Sequence, residues 1–191
     1  MCVIETVITT TNKGGRPRKH PDYRAAWAAA SRAYRKRKRV VRTKRKAYDS
    51  SGECEWYAPE SVYQPILNRL SMTEFDLDPC SPRLDGPIPV KTCYTAVKNG
   101  LLRPWQGVVW CNPPYGGRAM AAWCDKAIQG ARNGARVIIL AHVRTDTKWF
   151  HGLMEAGGRP EFIKGRVAFE RPDGTSESAP FPSVLIWLGF Y

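Results

Sequence analysis

Five stretches of this chain have the length and residue types of strands, and three others carry helical periodicity. Val108–Cys111 is a short run of β-branched and aromatic residues, which favours a pleated, enclosed surface. Residues 136–141, Arg-Val-Ile-Ile-Leu-Ala, form the most hydrophobic candidate, and their β-branched run suits a central parallel strand buried on both faces. Phe75–Asp78 reads as a strand that ends in Asp-Pro. Residues 162–169 and 183–190 read as two more, with the polar, turn-rich stretch 170–178 between them, which predicts an antiparallel hairpin closing the sheet. A helix is expected over 61–70, with Val62, Ile66, Leu67 and Leu70 on one side, and another over 119–131, where Met120, Trp123, Cys124 and Ala127 share a face. Only about 30 residues separate the first strand from Asn112, the length of one strand-helix-strand unit, so the α/β sheet is expected to be abbreviated there.

Charge divides the chain. Residues 1–50 contain 15 Lys or Arg against 3 Asp or Glu, whereas residues 51–191 contain 15 against 14, so nearly all of the net +13 lies in an N-terminal arm. A charge so concentrated points to a polyanion. No apolar run approaches the roughly 20 residues that span a bilayer, and the first residues lack a charged start followed by an apolar core, so nucleic acid is favoured over a membrane, and a cytoplasmic protein over a secreted one. The six cysteines include no Cys-x-x-Cys pair and no histidine at zinc-finger spacing, and they read as free thiols with no metal.

Within the arm, Gly14-Gly15-Arg16-Pro17-Arg18-Lys19 resembles an AT-hook, whose Gly-Arg-Pro core lies in the narrow minor groove of A·T tracts; a basic linker touching only phosphates fits the same residues. Residues 21–39 predict a helix with Tyr23, Trp27, Ala30 and Tyr34 on one stripe, a face suited to packing on a domain or partner. The basic run around its end, including Arg35, Arg37 and Arg39, suits phosphate contact, which carries no sequence information by itself. Asp49-Ser50-Ser51-Gly52 reads as a hinge, dividing a 1–50 arm from a 51–191 domain.

The chemistry concentrates after the strand at 108–111, in Asn112-Pro113-Pro114-Tyr115-Gly116-Gly117. Two prolines fix the turn and remove two donors, leaving the Asn112 and Pro113 carbonyls as acceptors. The Asn112 side-chain oxygen and the Pro113 carbonyl can each accept one hydrogen of an exocyclic NH2, while the Tyr115 ring stacks on the plane that carries it. Such an amine is a poor nucleophile because its lone pair is conjugated into the ring. Two acceptors drawing on its hydrogens push the nitrogen toward a pyramidal geometry and free that lone pair. The second landmark is Asp78-Pro79-Cys80-Ser81, where a strand ends in a carboxylate and a bare turn, the place where open α/β sheets bind ligands.

These landmarks resemble the catalytic loop and first cofactor motif of amino-group methyltransferases, and their setting most resembles the phage-type, Dam-like DNA N6-adenine methyltransferases. The resemblance covers roughly residues 55–191. It implies an abbreviated Rossmann-like methyltransferase sheet with a C-terminal antiparallel hairpin, preceded by the basic, partly helical arm. It further implies an enzyme that transfers a methyl group from S-adenosylmethionine to adenine N6 in double-stranded DNA. By the same resemblance Asn112, Pro113, Pro114 and Tyr115 are catalytic, and Trp56, Tyr57, Pro59, Asp78, Pro79, Cys80 and Asn112 bind the cofactor. Ala58 stands where the family usually has threonine, Ser81 where it often has glycine or alanine, and no acidic residue for the cofactor ribose is evident. Arg144-Thr145-Asp146-Thr147-Lys148-Trp149-Phe150 is similar to a family stretch at the catalytic rim, so Arg144 joins Arg16, Arg18, Lys19, Arg35, Arg37 and Arg39 as a candidate DNA contact; an internal Arg144–Asp146 ion pair fits as well. His142, alone at a strand end, reads as structural. The loop chemistry equally serves cytosine N4, an RNA adenine or a protein glutamine, and an inactive DNA-binding relic of the fold is a further alternative.

Overall fold

The structure is a computed structural model that describes Arg32 and residues 56–190, apart from Gly116 and Pro172. The AT-hook-like segment, the helix at 21–39 apart from Arg32, the hinge, and the candidate contacts Arg16, Arg18, Lys19, Arg35, Arg37 and Arg39 lie outside the described residues.

Helix α1 (Glu60–Arg69) precedes β1 (Phe75–Asp78), β2 (Val90–Cys93) and β3 (Val108–Cys111); α2 (Gly117–Arg132), β4 (Arg136–His142), α3 (Lys148–Glu155) and β5 (Arg159–Phe162) follow. The short strands β6 (Ala168–Glu170) and β7 (Ser176–Ser178) then precede β8 (Ser183–Leu188). Six strands form one sheet in the order β2-β1-β3-β4-β8-β5, while β6 and β7 pair with each other as a separate antiparallel ribbon. The β1–β2, β1–β3 and β3–β4 pairs are parallel, and β8 runs antiparallel to β4 and β5. This is a mixed α/β fold with a mostly parallel sheet and an antiparallel C-terminal pair.

The period-two alternation of strands explains the layering. On β3 and β4, Val109, Cys111, Val137, Ile139 and Ala141 face a core shared with Met120, Trp123 and Cys124 of α2 and Phe150 and Leu153 of α3. Val108, Trp110, Ile138 and Leu140 face a second core with Val62, Ile66 and Leu67 of α1. Every residue of β3 and β8 is buried, as strands enclosed on both faces require. Asp76 clamps the adjoining strands: its Oδ2 accepts from the Val108 backbone at 2.7 Å and its Oδ1 from Lys91 on β2 at 2.8 Å. Those bonds, Lys91 first, hold the Asp76 carboxyl below its ordinary range.

Two expectations need correction. Residues 162–169 are not one strand, because Gly165 takes φ +83° in an exposed Lys164-Gly165-Arg166 turn and leads the chain out of the sheet. The partner of β8 is therefore β5, and Ala168–Glu170 pairs instead with Ser176–Ser178, so the stretch 170–178 contributes strand ends as well as a turn. The region between β1 and Asn112 is short, as its length suggested, and is spanned by edge strand β2 and a 3₁₀ turn, Gly100–Leu102.

The strand order places the site. From β1 the chain moves outward to β2, then returns past β1 to β3 and continues to β4, so the direction of winding reverses between β1 and β3. At such a switch point the connections leave in opposite directions and a crevice opens beyond the carboxyl ends of the two strands. Those ends carry Asp78 and Cys111-Asn112.

Candidate active site

A cavity of about 480 Å³ opens at this crevice. Its wall includes Asp78, Pro79, Cys80 and Ser81 from the end of β1, Asn112, Pro113, Pro114 and Tyr115 from the end of β3, and Trp56, Tyr57 and Ala58 from the segment before α1. Every sequence-expected catalytic and cofactor residue lies on it except Pro59, which precedes α1 as its N-cap residue, and Arg144 does not reach it.

Asp78 is buried, with 5 % of its surface exposed. Burial strips water from the carboxylate and pushes its pKa up to about 6, while bonds from the Cys80 backbone and side chain oppose the shift. The Cys80 amide donates to Asp78 Oδ1 at 3.0 Å, which turns the chain sharply at Pro79. Beyond β1 the pairing with β2 continues, Tyr94 N donating to Asp78 O and Ser81 N to Tyr94 O. The Ser81 hydroxyl, the departure from the expected small residue, is buried and donates to the Arg83 carbonyl at 2.8 Å. Cys80 and Cys111 lie with their sulfurs 3.8 Å apart, and burial together with the neighbouring thiol pushes the Cys80 pKa well up.

The Asn112 amide is held from two sides. Its Nδ2 donates to the Trp56 carbonyl at 2.7 Å, which fixes the flip of the amide, and its Oδ1 accepts from the Tyr115 hydroxyl at 2.9 Å. An amide oxygen has two lone pairs, so this bond leaves acceptor capacity on Oδ1. The Tyr115 hydroxyl also lies 3.3 Å from the Leu140 carbonyl, and the ring meets His142 and Phe169 edge-on at 5.3 and 5.9 Å. His142 belongs to an aromatic cluster with Tyr115, Trp149 and Phe181. Arg144 forms a two-pronged pair with Asp146 at 3.0 and 3.2 Å.

Several wall residues carry no signal in the sequence: Ile88, Thr95, Asn99 and Gly100 come from scattered segments of ordinary composition, while Trp110 and Trp123 lie in an expected strand and helix without being marked there as wall residues. Trp110 lines the cavity, is fully buried, and has an indole N–H that no described residue accepts. Asn99 adopts φ +49° and its Oδ1 accepts from Leu101 N, shaping the turn that brings Gly100 against Pro79.

Residues 45–187 match the family described as DNA N-6-adenine-methyltransferase (Dam). The chain belongs to this family. It is also 32 % identical, over 97 residues, to a DNA N-6-adenine-methyltransferase of Haemophilus phage HP1 (strain HP1c1). That match covers 50 % of this chain and 53 % of the phage protein, so it spans about half the length of the relative. Asp78, Asn112 and Tyr115 all fall within the residues that match the Dam family.

Proposed function

We propose that this chain is a DNA adenine methyltransferase that modifies the N6 amino group of adenine in double-stranded DNA, with S-adenosylmethionine as methyl donor. The observation that carries this is the switch-point cavity, which brings Asp78 and the Asn112–Tyr115 corner onto one wall. Family membership and the description of the phage relative support the choice of base and atom.

The cavity suits the cofactor. Its volume lies in the range of sites that enclose a small organic ligand. The buried Asp78 carboxylate is placed to pair with an ammonium group, and Trp56, Tyr57, Pro87 and Ile88 offer apolar walls to a planar ring. The Trp110 indole N–H is a buried donor with no acceptor among the described residues, and Thr95 and Asn99 supply polar groups on a wall that carries no second carboxylate among the described residues. When bound, the cofactor supplies an electrophilic methyl group on a sulfonium.

This chain's residues then present the nucleophile. The Asn112 side-chain oxygen and the Pro113 carbonyl accept the two hydrogens of the adenine amine, drawing its lone pair out of conjugation. Trp56 keeps the amide in the orientation that leaves its oxygen, not its NH2, toward Tyr115. The target base leaves the duplex at a cost of a few kcal/mol, and stacking on Tyr115 returns about 1–3 kcal/mol of it. Asn112 and Pro113, set on a stiff turn at a strand end, hold the amine in line, and orientation supplies much of the rate. The basic arm contributes phosphate contacts, and the site of action is the cytoplasm of a bacterial host.

The test is transfer of labelled methyl to unmethylated DNA, followed by nucleoside analysis. N6-methyladenine is expected; label in N4-methylcytosine, in RNA or protein alone, or nowhere, contradicts the proposal.

A further inference from the structure

The β6–β7 ribbon has no role in the chemistry above, yet it packs against three residues of the cavity wall, Trp56, Tyr57 and Tyr115. Tyr57 pairs with Glu170 of β6 through both backbone bonds, at 2.9 and 3.0 Å. Phe169, 1 % exposed, turns inward and meets both Trp56 and Tyr115 edge-on, at 6.0 and 5.9 Å. Arg171, at the ribbon's end, stacks over Trp56 at 4.8 Å and pairs with Glu177. The ribbon is therefore fixed relative to the residue that stacks on the target base.

Register separates its two faces. Ala168 lies opposite Ser178 and Glu170 opposite Ser176, and by alternation these four share the face turned away from Phe169. All four are exposed. Through Phe169 the ribbon adjoins Trp56 and Tyr115 of the cavity wall, so a duplex delivering its amine to Asn112 would pass near it. The major groove admits a two-stranded ribbon, and it is there that base pairs are distinguishable. Short side chains let the ribbon's backbone come close to base edges, the serine hydroxyls pair with acceptors or donors, and a carboxylate accepts from cytosine N4.

We propose that the β6–β7 ribbon is the sequence-reading element of this enzyme, its open Ala168, Glu170, Ser176 and Ser178 face lying in the major groove beside the displaced adenine. This rests on the adenine methyltransferase reading and adds the source of its sequence preference. It differs in kind from the arm, whose phosphate contacts position without reading sequence.

The experiment uses the full chain with unmethylated DNA of mixed sequence, mapping N6-methyladenine positions by single-molecule sequencing. Ser176→Ala with Ser178→Ala, and separately the conservative Glu170→Gln, are compared with wild type, with melting temperature and cofactor affinity measured in parallel. The expected result is a relaxed or altered preference at one or more positions flanking the adenine. On the preferred duplex kcat/KM falls about tenfold, within the range for removing one contact to a base edge. Unchanged cofactor affinity and melting separate this from misfolding, and Glu170→Gln keeps the test open if the double variant is unstable. An unchanged preference with unchanged kcat/KM in both variants overturns the proposal, as does a wild type that methylates adenine without sequence preference. A wild type that transfers no methyl group overturns the enzymatic reading beneath it, a failure visible before any variant is made.

Discussion

Asp78 is an acid whose setting keeps its proton to a higher pH than the ordinary value of 3.8. Because its folded pKa of about 6 lies above the unfolded one, the native state binds more protons between these values. The contribution of this group to stability is present at low pH and is lost as pH rises through about 6. The proposed pairing of Asp78 with the cofactor's ammonium runs the other way, since it needs the ionised form. Affinity for S-adenosylmethionine should rise about tenfold from pH 5 to pH 7 and then level off. Calorimetric titration across this range checks it: Asp78→Asn should bind weakly with a flat profile, and a variant that keeps the wild-type rise removes Asp78 from the site. Tyr115 has two separable parts. Tyr115→Phe loses the bond to Asn112 but keeps the ring, and should lower single-turnover methylation far less than Tyr115→Ala, which forfeits stacking worth about 5- to 150-fold. Equal losses in the two variants would shift the role of Tyr115 from its ring to its hydroxyl.

At the scale of elements, what is legible in the sequence is what is enclosed on both faces or written in adjacent residues. β3 and β4 show as apolar runs because helices cover them on either side, and α1 and α2 show through the spacing of their buried residues. The Asn112–Tyr115 corner is legible because four consecutive residues make it. Its orientation is not, since the Trp56 carbonyl that fixes the Asn112 amide lies 56 residues away. Edge strand β2 gives no signal because its Val-Lys-Thr-Cys residues are half-buried or exposed and carry no apolar run. The ribbon reads as part of a long strand and a loop because Val167 and Phe169 continue the apolar pattern past Gly165, and only the backbone reversal separates them. The far side of the cavity depends on a close approach of the same kind. A Cβ on Gly100 would collide with the Pro79 carbonyl, backbone that cannot move without shifting the Asp78 turn. Gly100→Ala is expected to weaken cofactor binding and to cost about 1–3 kcal/mol of stability, as overpacking does, read by melting and titration together. Gly107 is held as firmly, with φ +68° and the Asp76 carboxylate occupying the space that an added Cβ would need.

For the whole molecule, charge and chemistry occupy different parts of the chain. The excess of 15 cationic over 3 anionic side chains in residues 1–50 contrasts with near balance in the rest. If the arm meets phosphates while the crevice performs the transfer, removing residues 1–46 should weaken DNA binding and flatten its salt dependence, by about 0.9 logarithmic units for each phosphate no longer neutralised. Turnover at saturating DNA should remain close to wild type. Binding measured by fluorescence anisotropy at several salt concentrations, beside steady-state rates, distinguishes this from an arm that serves only the fold. An unchanged salt slope would remove the arm from the DNA interface.

In the proposed reaction the crevice between β1 and β3 presents a conjugated amine through the Asn112 side-chain oxygen, while Asp78 and the segment before α1 carry most of the hold on the cofactor. Asn112→Ala, assayed by single-turnover methylation with S-adenosylmethionine affinity measured on the same preparation, tests this most directly. The expected result is a loss of transfer of about a hundredfold or more, the scale of removing one preorganised transition-state interaction, with cofactor affinity falling far less. Methylation that persists at the wild-type rate in that variant would show that the Asn112 oxygen does not present the amine.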